Sequence, residues 1–237
     1  MSTMKDFEPP QRRRIFLLRH GAVKYFARRS GLERHRLAVL TDEGRRQAAA
    51  VRDALAGVTI DRVFSSPIER CLTTAAIIVE GRALAVEPIE DLREIEPGNV
   101  RALGPERTAA GLLGAFKDLS PASRFLGGER FCAMQERAVR ALAAVIARAD
   151  WQSVLIVAHE AVNRALLAHA LGAGLEAIDR IEQDTCGINI LDVDASGHLF
   201  VRLMNYLVYD PLCAAHRTRT LERVCVDLFD ALAPEGP

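Results

Sequence analysis

Short apolar runs that alternate with helical segments constrain this chain more than any other feature. RIFLL at 14–18 and SVLIVAH at 153–159 are near-continuous apolar runs, the pattern of strands buried on both faces of a largely parallel sheet. Helical material follows each. After the first comes LTDEGRRQAAAVRDALAG, in which Thr41 can cap, Ala48, Val51 and Leu55 share a face, and Gly57 is a natural stop. DRVFSSPIERCLTTAAIIVEG reads as a strand, a Ser-Ser-Pro turn with Pro67 suited to a first helical turn, and a helix ending near Gly81. Phe131, Met134, Ala138, Leu142 and Val145 recur at helical spacing and predict a helix over 129–149. Strand 154–158 and helix 161–171 come next. GINILDVDASGHLFVRLMNY closes the pattern as two strands around a polar turn, hence an antiparallel edge.

This alternation predicts an α/β fold: a three-layer αβα sandwich with a largely parallel central sheet and an antiparallel edge strand. With 237 residues, 49% of them hydrophobic, the chain can bury one sizeable core. We expect a flexible tail over 1–11 and a single domain over 12–237. Two irregular stretches, near 22–40 and 95–128, are expected to sit over the site as lids. Lysine plus arginine number 31, as do aspartate plus glutamate, so no global field draws the chain to nucleic acid or acidic membranes. Five cysteines, at 71, 132, 186, 213 and 225, are odd in number and lack CxxC spacing. They point to reduced thiols and a cytoplasmic protein. No apolar run is long enough to span a bilayer.

Ligands of parallel α/β sheets collect beyond the carboxyl ends of the strands. Three units deliver polar groups there: Arg19 and His20 after the first run, Ser65, Ser66 and Arg70 after the second, and His159 after the strand at 154–158. With these residues in view, LLRHG, LTDEGRRQA, SSPIERCLTTA, LREIEPG, GGERF and VLIVAHEAVNRALL resemble, in order, the successive blocks of the histidine phosphatase superfamily in its phosphoglycerate-mutase-like branch. The resemblance covers roughly 15–170. It implies that His20 is a nucleophile that becomes phosphorylated, and that Arg19, Arg70 and His159 hold the phosphoryl group together with it. It also implies that Glu94 is the general acid and that no cofactor or metal is required.

Elementary chemistry is compatible with those roles. A phosphomonoester dianion repels nucleophiles, and arginine forks around its equatorial oxygens offset that charge bidentately. A neutral imidazole, its second nitrogen held by a backbone carbonyl, can attack phosphorus in line. A carboxylic acid in a partly dry cleft can protonate a poor alkoxide leaving group. Gly21 is expected to let the backbone approach the phosphate.

The chain departs from the family pattern in three places. AVKYFA follows RHG where Glu-Thr-x-x-Asn is common, GNVRAL lacks an aromatic, and Glu160 stands where glycine usually follows the second histidine. Glu160 is a rival for the acid, and Glu129 is expected to open the long helix, with a role in the pocket as its alternative. Lys24, Arg28, Arg29, Arg34, Arg36, Arg101 and Arg107 lie in the insertions and are candidates for reading a second anionic group.

HEAVN carries Asn163 where a zinc helix needs its second histidine, and no P-loop is present. Histidines 35, 169, 198 and 216 show no ligand spacing, and Cys71 and Cys186 read as buried small apolar residues. The expected activity is a metal-independent phosphomonoesterase acting on a small phosphorylated metabolite. Phosphoglycerate mutase-type transfer is the alternative, followed by a non-catalytic phosphate-binding module. The expected partner is that substrate, with neither nucleic acid nor membrane, and a homodimer is left open.

Overall fold

Residues 10–26, 37–214 and 217–232 are described by the computed structural model. Most of the expected tail, together with Arg28, Arg29, Arg34, His35, Arg36 and His216, lies outside the described residues. Six strands form one sheet: β1 (Arg13–Arg19), β2 (Arg62–Ser65), β3 (Val86–Pro88), β4 (Ser153–Ala158), β5 (Ile188–Val193) and β6 (Leu199–Tyr206). Their order is β3-β2-β4-β1-β5-β6. The first four are mutually parallel, while β5 runs antiparallel to both β1 and β6.

Strand alternation builds the three layers. Ile15 and Leu17 of β1 face one core with Val154 and Ile156 of β4, whereas Phe16 and Leu18 face the other with Leu155 and Val157. Helices α1 (Asp42–Ala54) and α2 (Glu69–Ile78) contribute Ala48, Val51, Cys71, Ala75 and Ile78 to the second core. On the opposite face lie α4 (Phe131–Ala147) and α5 (Glu160–Ala170), with Phe131, Met134, Ala138, Leu142 and Val145 all buried. Beyond Ser153, the run VLIVA is apolar throughout because helices cover it on both sides.

The local signals act as expected at α1, where the Thr41 hydroxyl accepts from Gly44 N–H at 3.1 Å. One expectation is corrected. The stretch 95–128 is not irregular throughout: it contains α3 (Val100–Leu113), capped by Asn99 and broken at Gly104–Pro105, and a 3₁₀ turn over Phe125–Gly127. Gly104 and Pro105 occupy the break and Gly111 lies within the helix, while the remaining glycines and prolines fall outside it, so none rules a helix out. A further helix, α6 (Thr220–Leu232), follows the last strand. Its Leu221, Val224, Leu228 and Leu232 recur at helical spacing and are a signal the reading passed over. Phe26, Ala109, Leu112, Cys225 and Leu228 join α3 and α6 in a third apolar cluster.

Candidate active site

Because β4 lies between β1 and β2, the ends of three strands distant in sequence converge. Arg19 is in register with Ala158, the His20 amide donates to Ala158 O at 3.1 Å, and the Ser66 amide donates to Val157 O at 2.9 Å. His20 and His159 therefore emerge side by side, with ring centroids 5.3 Å apart and planes at 67°. Arg19, His20, Arg70 and His159 are all buried.

Arg70 sets the protonation pattern, because a guanidinium can only donate. Its Nε donates to His20 Nε2 at 3.2 Å, and its Nη2 lies 3.3 Å from His159 Nδ1. The His20 proton therefore sits on Nδ1, which donates to Gly21 O at 2.8 Å. The His159 proton sits on Nε2 and points at Ser66 Oγ, 2.7 Å away. Burial first, then the charges of Arg70 and Arg19, holds His20 well below the ordinary imidazole range. His159 is lowered by burial and Arg70 in the same way. Both rings are thus neutral, and Nε2 is the unprotonated nitrogen of His20, its lone pair accepting from Arg70.

Arg19 donates through Nη1 to Gln183 O at 2.7 Å and to Thr220 Oγ1 at 3.1 Å, and its Nη2 lies 3.5 Å from Glu160. Burial works against its charge, yet Glu160, Tyr25 and Glu94 raise its pKa. Glu160 also pairs with Arg164 at 2.8 Å. It serves as a counter-ion held between two buried arginines.

Glu94 follows the short 3₁₀ turn Glu90–Leu92 beyond β3 and shares one cavity with Arg19, Arg70 and Glu160. Its Oε1 accepts from Ile95 N–H at 3.0 Å and its Oε2 from Ala161 N–H at 3.4 Å, in the first turn of α5. Burial pushes this carboxyl above its ordinary range. Glu160 adds to the shift, while the Ile95 amide, Arg70 and Arg19 oppose it. A carboxyl whose pKa is raised by burial, beside two neutral imidazoles and two arginines, is suited to donate a proton to a departing oxygen.

The sequence reading missed two residues. Tyr25, from the divergent AVKYFA segment, brings its hydroxyl to 3.3 Å from His20 Nε2, with the Arg70 guanidinium 5.6 Å from its ring centre. A phenol five positions after the histidine, on the same loop, was the available clue. Arg137 of α4 donates to Asp91 O at 2.8 Å, Arg93 O at 2.6 Å and Glu94 O at 3.2 Å, and its fork grips Glu129. Glu129 neither opens α4 nor reaches the cavity. It accepts from Glu96 N–H at 3.0 Å and clamps the Glu94 loop. Gly128 is required there, since a Cβ would stand 2.2 Å from Glu96 O.

Other candidates fall elsewhere. Ser65 is buried but turns its hydroxyl to Ser66 O at 2.9 Å, away from the histidines. A Cβ on Gly21 would lie 2.5 Å from Gly44 O, so this glycine is needed for the approach of α1. Arg101 and Arg107 are exposed and do not line the cavity. Cys71 and Cys186 are buried. Burial pushes the Cys71 thiol up to about 12, and its Sγ packs 3.4 Å from His159 Nε2.

The family model of the histidine phosphatase superfamily (branch 1) matches residues 15–206. The chain is 33% identical over 190 residues to a 2-carboxy-D-arabinitol-1-phosphatase of Triticum aestivum, covering 78% of this chain and 38% of that protein. It is 29% identical over 189 residues to the adenosylcobalamin/alpha-ribazole phosphatase of Escherichia coli, covering 76% and 90%. The chain thus spans less than half of the plant relative and most of the bacterial one. The solved structure of Bacillus stearothermophilus YhfR superposes with a TM-score of 0.67 at 26% identity, covering 80% of this chain and 95% of that one. Its similarity extends to the phosphoglycerate mutase-like fold.

Proposed function

Since the chain belongs to the histidine phosphatase superfamily, we propose that it hydrolyses a small phosphorylated metabolite through a phosphohistidine. The observation that carries this reading is the paired donation from Arg70, a residue that lines the cavity, to His20 Nε2 and His159 Nδ1, which fixes both buried rings as neutral imidazoles with His20 Nε2 as the unprotonated nitrogen.

His20 Nε2 attacks phosphorus as the bond to the leaving oxygen breaks, and Glu94 delivers its proton to that oxygen. Arg19, Arg70 and His159 hold the phosphoryl oxygens as charge shifts among them. Water then attacks the phosphohistidine and passes a proton to the Glu94 carboxylate, and the P–N bond breaks to release phosphate. The enzyme acts in the cytoplasm, a reading its five free thiols support. Phosphatases among its relatives favour hydrolysis over mutase chemistry.

Rapid quench with a ³²P-labelled monoester tests the scheme. The expected result is acid-labile, base-stable label on His20, absent from His20→Ala along with turnover. Turnover without labelled protein overturns it.

A further inference from the structure

The cavity reached by Arg70, which binds both histidines, has a mixed lining. Arg19, Arg70, Glu94 and Glu160 are its charged groups. Most of the remaining lining is an apolar wall that includes Val100 and Leu112 of α3, Phe116, Phe125, and Leu221 and Val224 of α6. Helix α6 lies beyond the 15–206 stretch matched by the family model. It is nonetheless tied to the phosphoryl side, since Thr220 at its start accepts from Arg19 and its amide donates to Glu182 at 3.1 Å.

The charges in the cavity discriminate between substrates. Among the described residues, Arg19 and Arg70 are its only lining cations. Arg70 is engaged with both imidazoles, and Arg19 with Gln183, Thr220 and Glu160. A second anionic group entering here would meet Glu160 and the apolar wall, with no further lining cation among the described residues to receive it. A hydrocarbon group would exchange water for side chains that are already apolar.

Resting on the phosphatase reading above, we infer that α3 and α6 select monoesters of uncharged, hydrocarbon-rich alcohols, with Leu221 and Val224 as specificity-determining residues. Burial of one methylene from water corresponds to roughly a fourfold gain in binding.

The experiment uses the full chain and two probes. Hydrolysis of methyl, ethyl, propyl and butyl phosphate is compared with that of 3-phosphoglycerate. Binding of the matching non-hydrolysable alkylphosphonates is followed by calorimetry. We expect kcat/KM and affinity to rise roughly threefold to fourfold per methylene, with 3-phosphoglycerate below ethyl phosphate. Leu221→Asn and Val224→Ser change half-buried positions and should each flatten the chain-length slope.

Turnover without chain-length preference, a preference for 3-phosphoglycerate, or an unchanged slope in both variants overturns the inference. Chain-length preference in phosphonate binding with no ester hydrolysed would uphold the pocket and overturn the phosphatase reading instead.

Discussion

Arg70 Nε donates to His20 Nε2 across 3.2 Å, so one buried cation orients the proposed nucleophile and, after burial itself, helps to hold its pKa down. The same guanidinium reaches His159, and a lysine cannot span two acceptors in fixed directions. Arg70→Lys should lower kcat/KM by about 2–4 kcal/mol of transition-state stabilisation. Steady-state kinetics on p-nitrophenyl phosphate check this, and near-wild-type values would contradict the role given to Arg70.

As the proposed acid, Glu94, whose pKa is raised by burial, should be most needed when the leaving oxygen is a strong base. Glu94→Gln should cripple hydrolysis of an alkyl phosphate and slow p-nitrophenyl phosphate much less. In the native protein kcat/KM should fall as pH rises through the raised Glu94 pKa, and this limb should vanish in the variant. If Glu160→Gln instead shows the leaving-group dependence, the acid is Glu160.

The two histidines make stability depend on pH. Their folded pKa values lie well below 6.5, so below pH 6.5 the unfolded chain binds protons that the native chain refuses. Stability from these groups is therefore lost as pH falls. Glu94 works in the opposite sense, because its raised pKa makes the native state lose stability as pH rises above the ordinary carboxyl range. In a Glu94→Gln background, urea unfolding at pH 5.5 should give a free energy about 2 kcal/mol lower than at pH 7.5, roughly 1 kcal/mol per histidine. A flat profile would mean that the rings protonate freely in the fold.

Arg137 touches three carbonyls of the Glu94 loop without lining the cavity. Arg137→Met keeps much of the side-chain volume and removes these bonds. We expect kcat for an alkyl phosphate to drop about tenfold or more, with a smaller effect on p-nitrophenyl phosphate, the signature of a displaced acid. Equal losses on both esters would point to general unfolding.

Gly21→Ala places a Cβ 2.5 Å from Gly44 O, backbone against backbone. The expected cost is about 1–3 kcal/mol in unfolding free energy, together with lower activity because His20 is the adjacent residue. Unchanged stability would show that α1 can move away from the loop.

What the chain determines by itself is local. The apolar runs at β1 and β4 declare strands covered on both faces. Thr41 caps α1, and the spacing from Phe131 to Val145 marks the buried side of α4. Arg19, His20, Arg70 and His159 are legible because each stands at the end of such an element, whereas Glu94 enters only through the resemblance carried by the ordered motifs. Only the tertiary structure decides who meets whom. Placing β4 between β1 and β2 joins His20 to His159 across 139 positions of sequence, and no single segment encodes that strand order. The Arg137 clamp, the approach of Tyr25 and the apolar wall from α6 likewise depend on side chains whose partners lie far along the chain. Propensity and periodicity report a residue's own neighbourhood, whereas these contacts arise when both faces of the sheet are buried at once.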